Sequence, residues 1–233
     1  MPSPVEWKSD LISALAARYG RPEPPGSGQD AFEAVVATLL GLSLDPRRQA
    51  RAIDALRDAG LLDPSALAEA DPAEVAEAFR SEGLTVPDRV LGPLRKVSRW
   101  LVDLHHGDAE GLRGPDADSS TGSLRDELLA VNGVGPATAD ALLLFAFGRA
   151  VYPLDRATYR IFVRHGWLDT STEYDEARDV VEQVAPDDPA ELARLSVWLE
   201  RVGRDACKTS VAKCEKCPLR PLLPAGGPVD PYG

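Results

Sequence analysis

The sequence is short of several things, and each shortage removes a class of protein. It holds three cysteines and one methionine in 233 residues. The cysteines, Cys207, Cys214 and Cys217, are an odd set gathered in one stretch, which is not the framework of a disulfide-stapled domain. No apolar run approaches the ~20 residues that a membrane span needs, so no membrane partner is expected. The N-terminus, MPSPVEWKSDL, lacks a basic segment followed by an apolar one. No signal peptide is read there, and a cytoplasmic location is expected. Positive charge is scarce: 26 Lys and Arg stand against 37 Asp and Glu, a net charge of -11. A uniformly basic nucleic-acid binder is thereby excluded. Of the two strong bases lysine is the rarer, confined to Lys8, Lys96, Lys208, Lys213 and Lys216.

What is present is ordinary globular material, 44% hydrophobic and 27% charged, long enough for one large domain or two small ones. The charge is uneven. Residues 169–191 carry nine acids and one arginine, net -8. Residues 201–224 carry six bases and two acids, net +4. Residues 148–165 set four arginines against Asp155, net +3. Such runs are commonly solvated faces.

Helical periodicity dominates. In DAFEAVVATLL, apolar pairs recur every four residues; Val90, Leu94, Val97, Leu101 and Leu104 make a second stripe. DPSALAEADPAEVAEAF predicts two short helices, capped by Asp63 and Asp71, with Pro64 and Pro72 in the first turn. Residues 105–122 are rich in Gly, Asp and Ser and predict a long loop, in which His105 and His106 are expected to be exposed. Ser123 is expected to cap the next helix. No alternating run predicts a strand, so the class is all-α.

The stretch AVNGVGPATADALLLFAF places Asn132-Gly133-Val134-Gly135 between two helical runs, with Pro136 at the start of the second. This is a helical hairpin. Glycine allows positive φ and leaves the backbone bare, and free N–H groups of such a turn form a concave anion site. The same pattern also makes a plain tight corner between helices. Eighteen residues past Ala137 comes the acid of YPLDRATYRIFVRHGW, followed by a helical run. Farther on, WLERVGRDACKTSVAKCEKC spaces its cysteines Cys-x6-Cys-x2-Cys.

Hairpin, downstream aspartate and C-terminal cysteine loop, in that order, resemble the endonuclease III-like DNA glycosylases of the helix-hairpin-helix superfamily, over about residues 30–217. The resemblance implies a two-part all-α fold with a central cleft. One part is a helical barrel over 30–139; the other joins 1–29 to 140–224, and 225–233 is expected to be a loose tail. It implies a DNA glycosylase of base-excision repair, a monomer acting on double-stranded DNA, that flips a damaged or mismatched base and hydrolyses its glycosidic bond. Asp155 matches the family's catalytic aspartate. Its carboxylate would stabilise an oxocarbenium-like sugar and orient or deprotonate a water; it would also serve as the N-cap of its helix. Gly133, Val134, Gly135 and Thr138 fall on the DNA-binding hairpin.

The chain departs from the family pattern in three places. The lyase lysine, which attacks the sugar in bifunctional members, is replaced by Ala137, so a monofunctional enzyme with little lyase activity is expected. The residue inserted into the flipped base's gap falls at Ser43 or Leu44, with Leu84 as a second plug. A leucine there acts as an apolar wedge or as a loop-to-core anchor. The family's four cluster cysteines are here three, with Leu223 in the fourth place. A 4Fe-4S cluster on three cysteine ligands, a zinc site completed by another donor and a loop without a cluster all remain open. Arg204, Lys208 and Lys213 form the loop's expected contact with DNA phosphates. The alternatives are a non-catalytic DNA-structure binder and a glycosylase/lyase with a displaced lysine.

Overall fold

The computed structural model describes residues 6–114, 119–185 and 187–230. Among them are eleven α-helices and no strand beyond one bridge, Cys207 with Ala212, so the fold is all-α. No helix of the described residues is long and apolar enough to cross a membrane. Aspartate starts most of the helices. Asp30, Asp45, Asp63 and Asp71 cap α2 (Ala31–Gly41), α3 (Pro46–Asp58), α4 (Pro64–Glu69) and α5 (Pro72–Ser81). Asp155 and Asp188 cap α9 (Arg156–Arg164) and α11 (Pro189–Asp205). Each carboxylate accepts a backbone N–H that has no partner inside its helix, and its charge suits the positive end of the helix dipole. Part of the chain's acidity is therefore structural. At α7 (Thr121–Ala130) the cap is Ser120, which accepts from Ser123 N–H; Ser123, expected to be the cap, lies one turn inside.

The chain divides into two compact units, one of residues 26–149 and one of residues 1–25 with 150–233. In the first, α2 is the buried centre: Ala31, Phe32, Ala34–Leu40 are all buried. An all-round apolar helix survives only when surrounded, and α3, α6 (Asp88–His105) and a five-residue π-turn, Leu142–Ala146, surround it. Each large apolar side chain so buried contributes roughly 1.5–3 kcal/mol. α4 lies along α6, α5 bridges α3 and α6, and α7 packs on α8 (Pro136–Ala141). Asp140 is fully buried, and Arg125 answers it with Nε 2.6 Å from Oδ1; without that guanidinium the carboxylate would be an uncompensated buried charge.

The boundary expected at 139/140 falls instead at 149/150. α8 runs directly into the π-turn, which packs on α2. Arg149 is buried and donates to the carbonyls of Leu112 and Ser119. The boundary expected at 29/30 falls at 25/26: a Cβ on Gly26 would collide with Phe145 O, and Gln29 O accepts from Arg113. His105 is not free in its loop; it meets Glu127 at 2.8 Å.

In the second unit, α9 and α1 (Glu6–Tyr19) pack on α11. Trp198 is fully buried and donates from Nε1 to Gly20 O at 2.9 Å. The acidic run 169–191 is largely consumed here. Arg178 of α10 (Tyr174–Glu182) pairs with Asp175 and Asp179, Glu182 accepts the N–H of Tyr152, and Glu191 pairs with Arg21 and Arg194. The tail expected to be loose is attached as far as Asp230: Val229 N–H donates to Arg164 O at 3.0 Å. Residues 231–233 lie outside the described residues.

α11 approaches α9 at Gly203, where an added Cβ would lie 2.7 Å from Ala157 Cβ. Gly203→Ala is therefore expected to lower stability in urea unfolding by about 1–3 kcal/mol. Gly122→Ala in α7, where a Cβ meets nothing within 4 Å, is expected to raise it by about 0.5–1 kcal/mol.

Candidate functional site

The hairpin begins where α7 ends and closes on α8. Gly133 takes φ +97°, a conformation closed to other L-residues without strain, whereas Gly135 is the extended N-cap of α8. Only one of the two glycines is needed for its φ. The other leaves open space, since a Cβ there would meet nothing within 4 Å. Val134 is buried and anchors the turn, while Asn132, Gly133, Gly135 and Pro136 are exposed. Among the described residues, the N–H groups of Gly133 and Gly135 donate to no backbone acceptor. Thr138 is half-buried and donates its N–H to Gly135 O. The turn thus presents bare amides to an anion.

The packing of Leu44 and Leu84 fits the second of the two readings open for them, the loop-to-core anchor. Leu44 and Leu84 are both buried, their N–H groups bonded to Leu40 O and Phe79 O. They are anchors that turn the chain back onto the core, not side chains free to enter DNA. Ser43 is exposed, and the large apolar side chain beside it that faces solvent is Leu42, 52% exposed at the end of α2. Spacing alone could not separate Leu42 from Leu44, because the loop after α2 breaks the helical period.

Asp155 is exposed at the start of α9. Its Oδ1 accepts from Thr158 N–H at 2.6 Å, which fixes the carboxylate and leaves the second oxygen available. Just upstream, Tyr152 is fully buried, and its hydroxyl meets Thr158 Oγ1 at 2.9 Å. Burial, with the nearby Asp155 charge, pushes that phenol far above its ordinary value, so Tyr152 is a neutral prop beneath the acid.

At the other end of α9, three side chains grip the cysteine loop. Arg160 donates to Cys207 O at 2.9 Å. Arg164 donates to Cys207 Sγ at 3.2 Å and to the carbonyls of Lys208 and Thr209. His165 spans Ile161 O and Leu219 O. Cys207, Cys214, Cys217 and Leu223 line one pocket of about 270 Å³, open mouth included, walled also by Arg164 and Pro228. Burial and the neighbouring sulfurs push the Cys217 thiol up to about 11. Leucine offers no donor at the fourth place, and no three His, Cys, Asp or Glu side chains among the described residues are grouped to hold a metal ion. The residues present therefore do not fit a closed four-thiolate cluster or a single-ion zinc site. Of the loop's expected phosphate contacts, Lys208 is exposed and Lys213 half-buried. Arg204 spends its charge on Glu200 and Asp205.

A further residue joins the hairpin that its sequence position does not announce: Lys96 of α6, whose Nζ lies 3.1 Å from Asn132 Oδ1. The two are 36 residues apart in the chain, and no local pattern links them.

The chain is 29% identical over 189 residues to a candidate DNA repair glycosylase of Methanocaldococcus jannaschii, covering 81% of this chain and 83% of that protein. It is 27% identical over 197 residues to endonuclease III of Sulfolobus acidocaldarius, covering 84% and 82%. In structure it is similar to an endonuclease III–DNA covalent intermediate, with a TM-score of 0.71 at 21% identity over 97% of this chain and 98% of that one. It is also similar to a thermostable thymine-DNA glycosylase, with a TM-score of 0.63 at 18% identity over 92% of each chain. No family model matches the chain.

Burial lowers the His165 pKa below its ordinary 6.5, outweighing the two carbonyls that pull it upward. The unfolded chain then binds a proton that the folded one resists. Stability attributable to the neutral ring is complete above about 6.5 and falls as pH drops toward the lowered folded value. His165→Gln is expected to flatten that decline in denaturant unfolding between about pH 7 and about pH 5.

Proposed function

We propose that this chain, an endonuclease III-like DNA glycosylase in sequence and fold, is a monofunctional one: it hydrolyses the glycosidic bond of an extruded base with water and leaves the strand intact. The observation that carries this reading is Ala137. It stands on the hairpin's second helix eighteen residues before Asp155, where bifunctional members carry the attacking lysine, and a methyl group cannot form a Schiff base.

Asp155 supplies the chemistry. As the base departs, positive charge grows on the sugar ring, and a carboxylate beside it lowers the energy of that state. One oxygen is tied to Thr158 N–H; the other is available to orient a water and accept its proton. The hairpin's bare amides hold a backbone phosphate without any side-chain charge, positioning the protein on duplex DNA without reading sequence. Leu42, exposed at the end of α2, is the large apolar side chain of that loop placed to fill the space a flipped base leaves; the Ser43 hydroxymethyl is too small to do so. No step of the reaction is routed through the cysteine loop.

The test is base release from duplexes carrying mismatched thymine, alkylated adenine or oxidised pyrimidine. Asparagine is as good an N-cap as aspartate, so Asp155→Asn keeps α9 while removing the charge. It is expected to slow release by about 10²–10⁴-fold with DNA binding retained. Borohydride is expected to trap no protein–DNA adduct with the wild type. An adduct would establish a displaced lysine. Binding without release on any lesion, or equal release by the variant, would favour a non-catalytic DNA binder or a different catalytic group.

A further inference from the structure

The hairpin stretch 130–138 contains no cation at all, in a chain of net charge -11. A different helix compensates for this. α6 turns one face toward the hairpin, and two residues three apart on it, hence neighbours on the helix surface, reach the turn. Pro93 Cγ lies 3.6 Å from where a Gly133 Cβ would stand. Lys96 Nζ sits 3.1 Å from Asn132 Oδ1. The proline closes the back of the turn and the lysine reaches its exposed rim.

We propose that Lys96 belongs to the hairpin's phosphate site: its ammonium, with the N–H groups of Gly133 and Gly135, takes one backbone phosphate of duplex DNA. The inference rests on the DNA-binding reading of the hairpin. Lys96 is exposed and, among the described residues, sits in no ion pair. Among the arginines of α6 and α7, Arg125 is paired with Asp140 and Arg99 donates to Ala68 O, while the Nε of Arg95 is buried without a hydrogen-bond partner. The Asn132 carbonyl oxygen holds a long, mobile side chain at the rim before DNA arrives, which reduces the ordering cost of contact. A lysine is a compact point charge well suited to one phosphate. A single ammonium beside unpaired amides also gives attraction where it is needed, although the molecule as a whole repels DNA.

Counterion release distinguishes this role from that of a mere strut for the turn. Affinity for a labelled duplex bearing a tetrahydrofuran abasic-site analogue is measured by fluorescence anisotropy between about 50 and 200 mM salt. Lys96→Gln keeps a hydrogen-bond donor but loses the charge. It is expected to weaken binding roughly five- to tenfold at about 0.1 M salt and to reduce the slope of log K against log salt by about 0.9, one phosphate's worth. Lys96→Arg is expected to retain the wild-type slope, and so is Asn132→Ala, which removes the tether and leaves the charge. An unchanged slope in Lys96→Gln overturns the proposal, as does the same loss of slope in Asn132→Ala. Wild-type protein that binds no duplex in a salt-dependent way removes the DNA-binding reading itself, and this inference with it. Wild-type binding with an unaltered Lys96→Gln slope removes the inference alone.

Discussion

One short hydrogen bond sets the terms for the second unit: Thr158 N–H to Asp155 Oδ1, 2.6 Å. It starts α9 and fixes the carboxylate in the same contact. α9 then carries its other duties along its length, with Arg160, Arg164 and His165 reaching from its far end into the cysteine loop. The proposed catalytic acid and the loop are therefore coupled through one nine-residue helix. An aspartate can satisfy both demands because capping uses one oxygen and leaves the other. A glutamate, one methylene longer, would satisfy neither geometry as well.

The charge balance stops being paradoxical once the acids are assigned. Six aspartates cap helices, and Arg178, Arg21 and Arg194 absorb several more. What matters for a polyanionic partner is which charges remain unspent and where they lie. Lys96 and Lys208 are exposed and outside every ion pair of the described residues, whereas Arg204 is engaged by two carboxylates. In the proposed phosphate site, backbone amides take a part that cations usually fill, without altering net charge.

Local chemistry made much of this legible in sequence. Asp-Pro pairs announced α4 and α5, periodic apolar residues announced α2 and α6, and Gly133 announced the hairpin, because each signal is contained in a few neighbouring residues. The sequence was ambiguous or silent where long-range contacts decide. Leu44 and Leu84 look identical to exposed plugs in one dimension, and only the core behind them turns them inward. The unit boundary moved because the π-turn after α8 finds its partner in α2, about a hundred residues earlier. Lys96 was invisible for the same reason: its partner is in the hairpin, and nothing around it in sequence marks it.

The chain's last described residues give the cysteine loop a cover. Pro228 walls the pocket that holds the three sulfurs, and Val229 is stitched to the end of α9. A protease that trims the C-terminus would thus do more than shorten the molecule. It would remove one wall of the pocket around three sulfurs, of which Cys207 is buried and Cys214 and Cys217 are half-buried, and widen its opening to solvent.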